Sequence, residues 1–149
     1  MLDVQLDVRR LFVESFTSVT EKIAGFPLRC CADKKEFKTG QNVKIHAEGV
    51  FSAYLYISME DSFEDAVLNG MTNGKKLSSD MRALYVGEYI NIVSGHALTN
   101  INNQVGKTSR LTIPVVGISD YDDEKKYKEH CTLYFEAPCG SMKMEISYN

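Results

Sequence analysis

Glu88-Tyr89-Ile90-Asn91-Ile92-Val93-Ser94-Gly95-His96-Ala97 lies inside a run from Asp80 to Asn103 that no proline interrupts. Projected at about 100° per residue, as an α-helix requires, Val86, Ile90, Val93, Ala97 and Ile101 fall within about 40° of the direction opposite Glu88. They make one apolar stripe, so the run is predicted to be a long helix laid on a core. Glu88 and Asn91 then point outward as i, i+3 neighbours. Gly95 projects between them one turn farther along, at a helix-interior cost of about 1 kcal/mol relative to alanine. Met81, Leu84 and Ile92 point outward too. Apolar side chains around a carboxylate and a carboxamide suit a docking surface better than a solvated face.

Around this helix the pattern alternates between periods. From Val4 to Ala24, Val8, Leu11, Phe12, Phe16, Val19 and Ile23 recur at helical steps, and Gly25 and Pro27 end the run. Residues 28–37 are mixed and can hold a strand. Val43 to Ala47 alternates with period two, and Glu48-Gly49 offers a hairpin corner. From Val50 to Met59, Phe51, Ala53, Leu55 and Ile57 share one side and Ser52, Tyr54, Tyr56 and Ser58 the other, which predicts a half-buried strand. Asp61 or Ser62 can cap a short helix carrying Phe63, Ala66, Val67 and Met71, ended by Asn69-Gly70 and Asn73-Gly74. Ser78 or Ser79 can cap the long helix. Strands are expected at Leu111–Ile118, His130–Ala137 and Met142–Tyr148, the last two joined by a turn at Pro138-Cys139-Gly140-Ser141, with a charged solvated loop at Asp120–Lys126. The class is α+β, an antiparallel-rich sheet packed with a long helix and additional helices.

A chain of 149 residues fits one domain, 1–149. Its net charge of −3 argues against a binder of duplex nucleic acid, which needs a basic face to track phosphates. The longest apolar runs are broken by Thr112, Pro114 and Gly117 and fall short of the roughly 20 residues that span a bilayer, so no membrane insertion is expected. Met1 to Asp7 lacks the features of a secretory signal, which makes cytoplasmic residence the expectation. Cys30, Cys31, Cys131 and Cys139 show no CxxC spacing and are expected to be reduced thiols.

Glu-x-x-Asn alone is a weak signal. Here it sits in Glu88-Tyr89-Ile90-Asn91-Ile92-Val93-Ser94-Gly95-His96-Ala97, and after twenty-two intervening residues from Asn91 comes Pro114-Val115-Val116-Gly117. This sequence resembles the CheC/CheX/FliY family of chemotaxis phosphatases over most of its length, from the leading helix to the closing hairpin at Tyr134–Tyr148. The resemblance implies a CheC-like fold and a phosphatase that docks on a phosphorylated CheY-type response regulator to hydrolyse its aspartyl phosphate. Glu88 would anchor the regulator and Asn91 would orient the attacking water. Met81, Leu84, Ile92 and Gly95 would belong to the docking face. No cofactor is implied for this chain itself, because Mg2+ is expected on the regulator.

Two departures qualify the resemblance. Family members often carry Asp or Ser four residues before the Glu, where this chain has Leu84. Members with two sites repeat the motif in the first helix, but the comparable stretch here is Glu14-Ser15-Phe16-Thr17, with Thr17 in place of the amide. One site per chain is therefore expected, as in the CheX branch, together with a homodimer formed through sheet edges. A non-catalytic adaptor that grips a regulator or flagellar-switch component with the same helix is the alternative.

The remaining chemistry-bearing residues have plainer readings. His96, at about 80° on the projection, reads as a boundary residue. His46 and His130 lack ligand partners at metal-site spacing, so no metal site is predicted. Cys30 and Cys31 on one strand would point to opposite faces. Tyr54 and Tyr56 have no basic cluster around them and read as strand residues at a partner or dimer surface.

Overall fold

The computed structural model describes residues 7–31, 38, 40–117 and 127–149. The charged stretch 120–126 and the segments 4–6 and 32–37 lie outside the described residues. Helix α1 spans Val8–Ala24, its first turn capped by Asp7, whose carboxylate accepts from the Arg10 N–H at 3.0 Å. Gly25 closes it in the left-handed conformation at φ 81°. Strand β1 (Arg29–Cys31) follows, then the hairpin of β2 (Gln41–Gly49) and β3 (Ala53–Met59).

Helix α2 covers Asp61–Thr72. Its N-cap is Glu60 and not Asp61 or Ser62. The Glu60 carboxylate accepts instead from the Ser141 N–H at 2.7 Å, tying the helix start to the sheet. Gly70 lies within the helix, which ends at Asn73. Ser78 caps α3 (Ser79–Val105), accepting from the Met81 N–H at 3.3 Å. Strands β4 (Ser109–Leu111), β5 (Val115–Val116), β6 (Glu129–Ala137) and β7 (Gly140–Tyr148) complete the chain.

The strands form a single antiparallel sheet in the order β1-β6-β7-β3-β2-β4, with β5 also pairing β2. Alternate side chains Val43, Ile45 and Ala47 of β2, Ala53, Leu55, Ile57 and Met59 of β3, and Met142, Met144 and Ile146 of β7 share one core with all three helices. The opposite face differs from expectation. Strand β3 is buried on both faces, with Tyr54 1% and Tyr56 6% exposed in a second cluster with Tyr127. It occupies the middle of the sheet, between β7 and β2. His46 stacks on Tyr54 at 4.9 Å, so these tyrosines are interior residues and not a free partner surface.

The predicted strand from Leu111 to Ile118 is two short strands, and Ile118 lies outside the described residues. Ala47 pairs with Leu111, whereas Lys44 pairs with Val115. Three steps along β2 therefore face four along this edge, which defines a one-residue bulge. Thr112 still keeps register: its N–H donates to the His46 carbonyl at 2.8 Å and its hydroxyl accepts from the His46 N–H at 2.9 Å. The extra residue thus falls at Ile113-Pro114, where proline has no N–H to continue the ladder.

Candidate functional site

The apolar stripe of α3 is where the projection puts it. Ile90, Val93, Ala97 and Ile101 are fully buried and Val86 nearly so. Two further contacts fix the rotation of the helix about its axis. Tyr89, also fully buried, shares a hydrogen bond of 2.7 Å with the Thr20 hydroxyl of α1, and burial pushes its phenol well above the usual tyrosine range. In the first turn of α3, Arg82 donates from Nη2 to Glu64 at 2.6 Å and to Asp65 at 2.6 Å, both on α2, and these bonds, led by Glu64, raise its pKa further.

With that rotation set, Glu88 and Asn91 are exposed. Neither side chain has a hydrogen bond or ion pair among the described residues. Leu84 is 65% exposed, while Met81 and Ile92 are exposed to a smaller extent. Beside the pair runs a groove of about 420 Å³. One wall is α3, through Ala83, Leu84, Gly87, Glu88 and Asn91, and the other is the segment Leu111–Pro114 with Val116. The Pro-Val-Val stretch and the Glu-x-x-Asn motif, with twenty-two residues between Asn91 and Pro114, thus border one cleft. Met81 and Ile92 do not line it.

Gly95 is half-buried, with room for a Cβ 3.9 Å from Leu111 Cδ1. The glycine in the groove wall is Gly87 and not Gly95. A Cβ there would meet Val116 Cγ2 at 3.4 Å. Like Gly95 it is a glycine inside a helix, and it projects about 100° from Glu88, at the edge of the core-facing stripe.

Helix α1 carries no second copy of this arrangement. The Thr17 hydroxyl donates to its own helix, to Val13 O at 2.9 Å, and Glu14 pairs with Arg10 at 3.1 Å. Ser15 is buried and meets His96 Nδ1 at 2.7 Å, so His96 bridges α1 and α3 at the border of the exposed face. Among the described residues no cluster of three or more His, Cys, Asp or Glu could hold a metal ion, and the four cysteines are free thiols. No helix among them is long and apolar enough to cross a membrane.

An uncharged amide and a carboxylate, one turn apart on a braced helix, can orient water and grip a cation. No family model matches the chain, and no curated protein matches it in sequence. Solved structures do. The chemotaxis protein CheX from Vibrio vulnificus superposes with a TM-score of 0.80 at 18% identity, over 97% of this chain and 100% of that one. The fold is CheC-like. A chain of the CheX-CheY-BeF3-Mg2+ complex from Borrelia burgdorferi matches with a TM-score of 0.77 at 16% identity, over 97% of this chain and 99% of that one. A CheC-like superfamily protein from Shewanella sp. PV-4 matches with a TM-score of 0.75 at 20% identity, covering 98% and 99%. In CheC-like terms, the chain has the long helix, one central sheet and a cleft between that helix and the sheet edge.

Proposed function

We propose that this protein is a single-site phosphatase of the CheX branch, acting on a phosphorylated CheY-type response regulator. The observation that carries this reading is the pair Glu88 and Asn91: exposed, without partners among the described residues, one turn apart and beside a groove. The likeness to CheX, including a chain from a CheX-CheY complex, supports it.

An acyl phosphate is already reactive, and the regulator brings its own Mg2+. What remains is to hold a water in line with phosphorus. The carboxamide of Asn91 has both donors and an acceptor, so it can fix the orientation of that water without changing its own protonation. The water oxygen then bonds to phosphorus as the phosphorus–oxygen bond to the regulator's aspartate breaks. The aspartate leaves as carboxylate and inorganic phosphate is released. Glu88 pairs with a lysine of the regulator and sets the distance between the two proteins.

The test is the lifetime of a phosphorylated CheY-type regulator with and without this protein. Accelerated decay is expected, and decay at the spontaneous rate would remove the reading. Leu84 favours a second reading. A large apolar group at this position suits an adaptor that binds the regulator without turnover, and such a protein would bind the activated regulator yet leave its lifetime unaltered.

A further inference from the structure

Two of the exposed apolar side chains stand on opposite walls of the groove. Leu84 rises from α3 and Ile113 from the bulge between β4 and β5, the latter 86% exposed. Nothing in the core explains Ile113. The bulge turns it out of the ladder, while Thr112 on one side and the Val115–Lys44 pair on the other hold the backbone to β2. A bulge next to a functional site commonly serves to re-aim one side chain. Here it delivers an isoleucine to the groove that Glu88 and Asn91 border.

We propose that Leu84 and Ile113 form an apolar clamp that seats one apolar side chain of the regulator, next to its acyl phosphate, and thereby selects which regulator is served. This rests on reading the site as a regulator-docking surface. Any protein that brings a phosphoryl group to Asn91 must also cover the groove that Asn91 lines. Among the described lining residues the groove offers a charge only at Glu88, which the regulator's lysine already engages, so an acidic side chain seated between Leu84 and Ile113 would meet no cation and a second basic one no further carboxylate. An aliphatic or aromatic side chain would instead remove both from water. Leu84 thus becomes a specificity residue, matched by Ile113 across the cleft.

The experiment titrates the full chain with a regulator activated by beryllofluoride and Mg2+, which needs no turnover. Ile113→Asp and Leu84→Asp are expected to weaken binding by about tenfold or more, as loss of a desolvated anchor does, with Ile113→Val close to wild type. Thermal unfolding should be unchanged for Ile113→Asp, whose side chain is exposed. Turnover on the phosphorylated regulator should show the same loss mainly in KM.

Undiminished affinity of Ile113→Asp alongside normal wild-type turnover would overturn the clamp and leave the phosphatase reading standing. Binding that depends on Ile113 without any turnover would keep the clamp and remove the phosphatase reading. If wild type fails to bind the activated regulator, both fall. If Ile113→Asp alters only self-association of this chain, the groove belongs to a second copy and the clamp is overturned.

Discussion

Gly87 and Val116 approach so closely that a Cβ on the glycine would stand 3.4 Å from Val116 Cγ2, at the inner edge of ordinary contact. There is room for a methyl group but not for a longer side chain where the sheet edge and α3 share a groove. Gly87→Ala should fold and keep most binding, since about 1 kcal/mol of helix propensity offsets the tighter contact. Gly87→Leu should displace β5, cost about 1–3 kcal/mol in stability and abolish regulator binding. Gly95→Leu differs, because more space lies above Gly95. It should fold, yet lose binding by filling the docking face. Urea unfolding and titration with an activated regulator check all three.

Asn91→Ala and Glu88→Ala should fail in different ways. The first should keep its affinity for an activated regulator and lose about 10²-fold or more of the stimulated dephosphorylation, the size of effect expected when a positioned group is removed. The second should lose affinity as well as rate. Single-turnover decay at saturating protein, paired with binding isotherms, separates the two roles. A wild-type rate for Asn91→Ala would remove the water-orienting assignment.

The buried bond between Thr20 and Tyr89 predicts a pH dependence. Its phenol is raised by burial, whereas an unfolded tyrosine titrates near about 10, so above that pH the unfolded chain loses the proton first. Stability should therefore be fully present below pH 10 and fall above it, by up to about 1.4 kcal/mol per pH unit from this group. Tyr89→Phe leaves Thr20 without its partner and should cost about 1–3 kcal/mol at neutral pH. Urea unfolding from pH 8 to 11 should show the gap between wild type and Tyr89→Phe narrowing above pH 10.

Arg82 braces α3 against α2. Arg82→Met should destabilise the chain by about 1–3 kcal/mol, because it leaves the Glu64 carboxylate, only 9% exposed, without its cation. Adding Glu64→Gln should recover part of that loss, and a double-mutant cycle by chemical unfolding measures the coupling.

A homodimer is expected through the β1 end of the sheet, the outermost strand among the described residues, since the opposite edge borders the groove. Light scattering at about 100 μM, well above a micromolar association, should give twice the chain mass. The mass of a single chain at that concentration would count against it.

The helices were legible because each shows one clean stripe against a single core, as with Val86, Ile90 and Val93. The exposed positions of Glu88, Asn91, Leu84 and Ile92 follow from the same periodicity. What alternation could not reveal is the far face of the sheet. Ser52, Tyr54, Tyr56 and Ser58 are polar or amphipathic, and Tyr54 and Tyr56 are buried on that side in a cluster with Tyr127, which lies more than seventy residues downstream. The bulge was hidden for a related reason. Leu111 to Val116 is apolar enough to read as one strand, and the slip at Ile113-Pro114 is visible only in the pairing with β2. Gly87 was missed because a projection gives a direction without saying which neighbour lies there.

The central place of β3 also constrains the order in which the chain can be assembled. Its hairpin partner β2 is adjacent in sequence, but on the other side Ala53 pairs with Tyr148 and Met59 with Met142, partners more than eighty residues downstream. During synthesis β3 must wait, one edge unpaired and apolar on its core side, until β7 has emerged. Such long-range closure makes for slow folding and exposes an edge suited to wrong pairing. A nascent chain stalled or cut after α3 would carry the whole Glu88-Asn91 segment, but with its apolar stripe uncovered by β6 and β7, and so be the form most prone to aggregate.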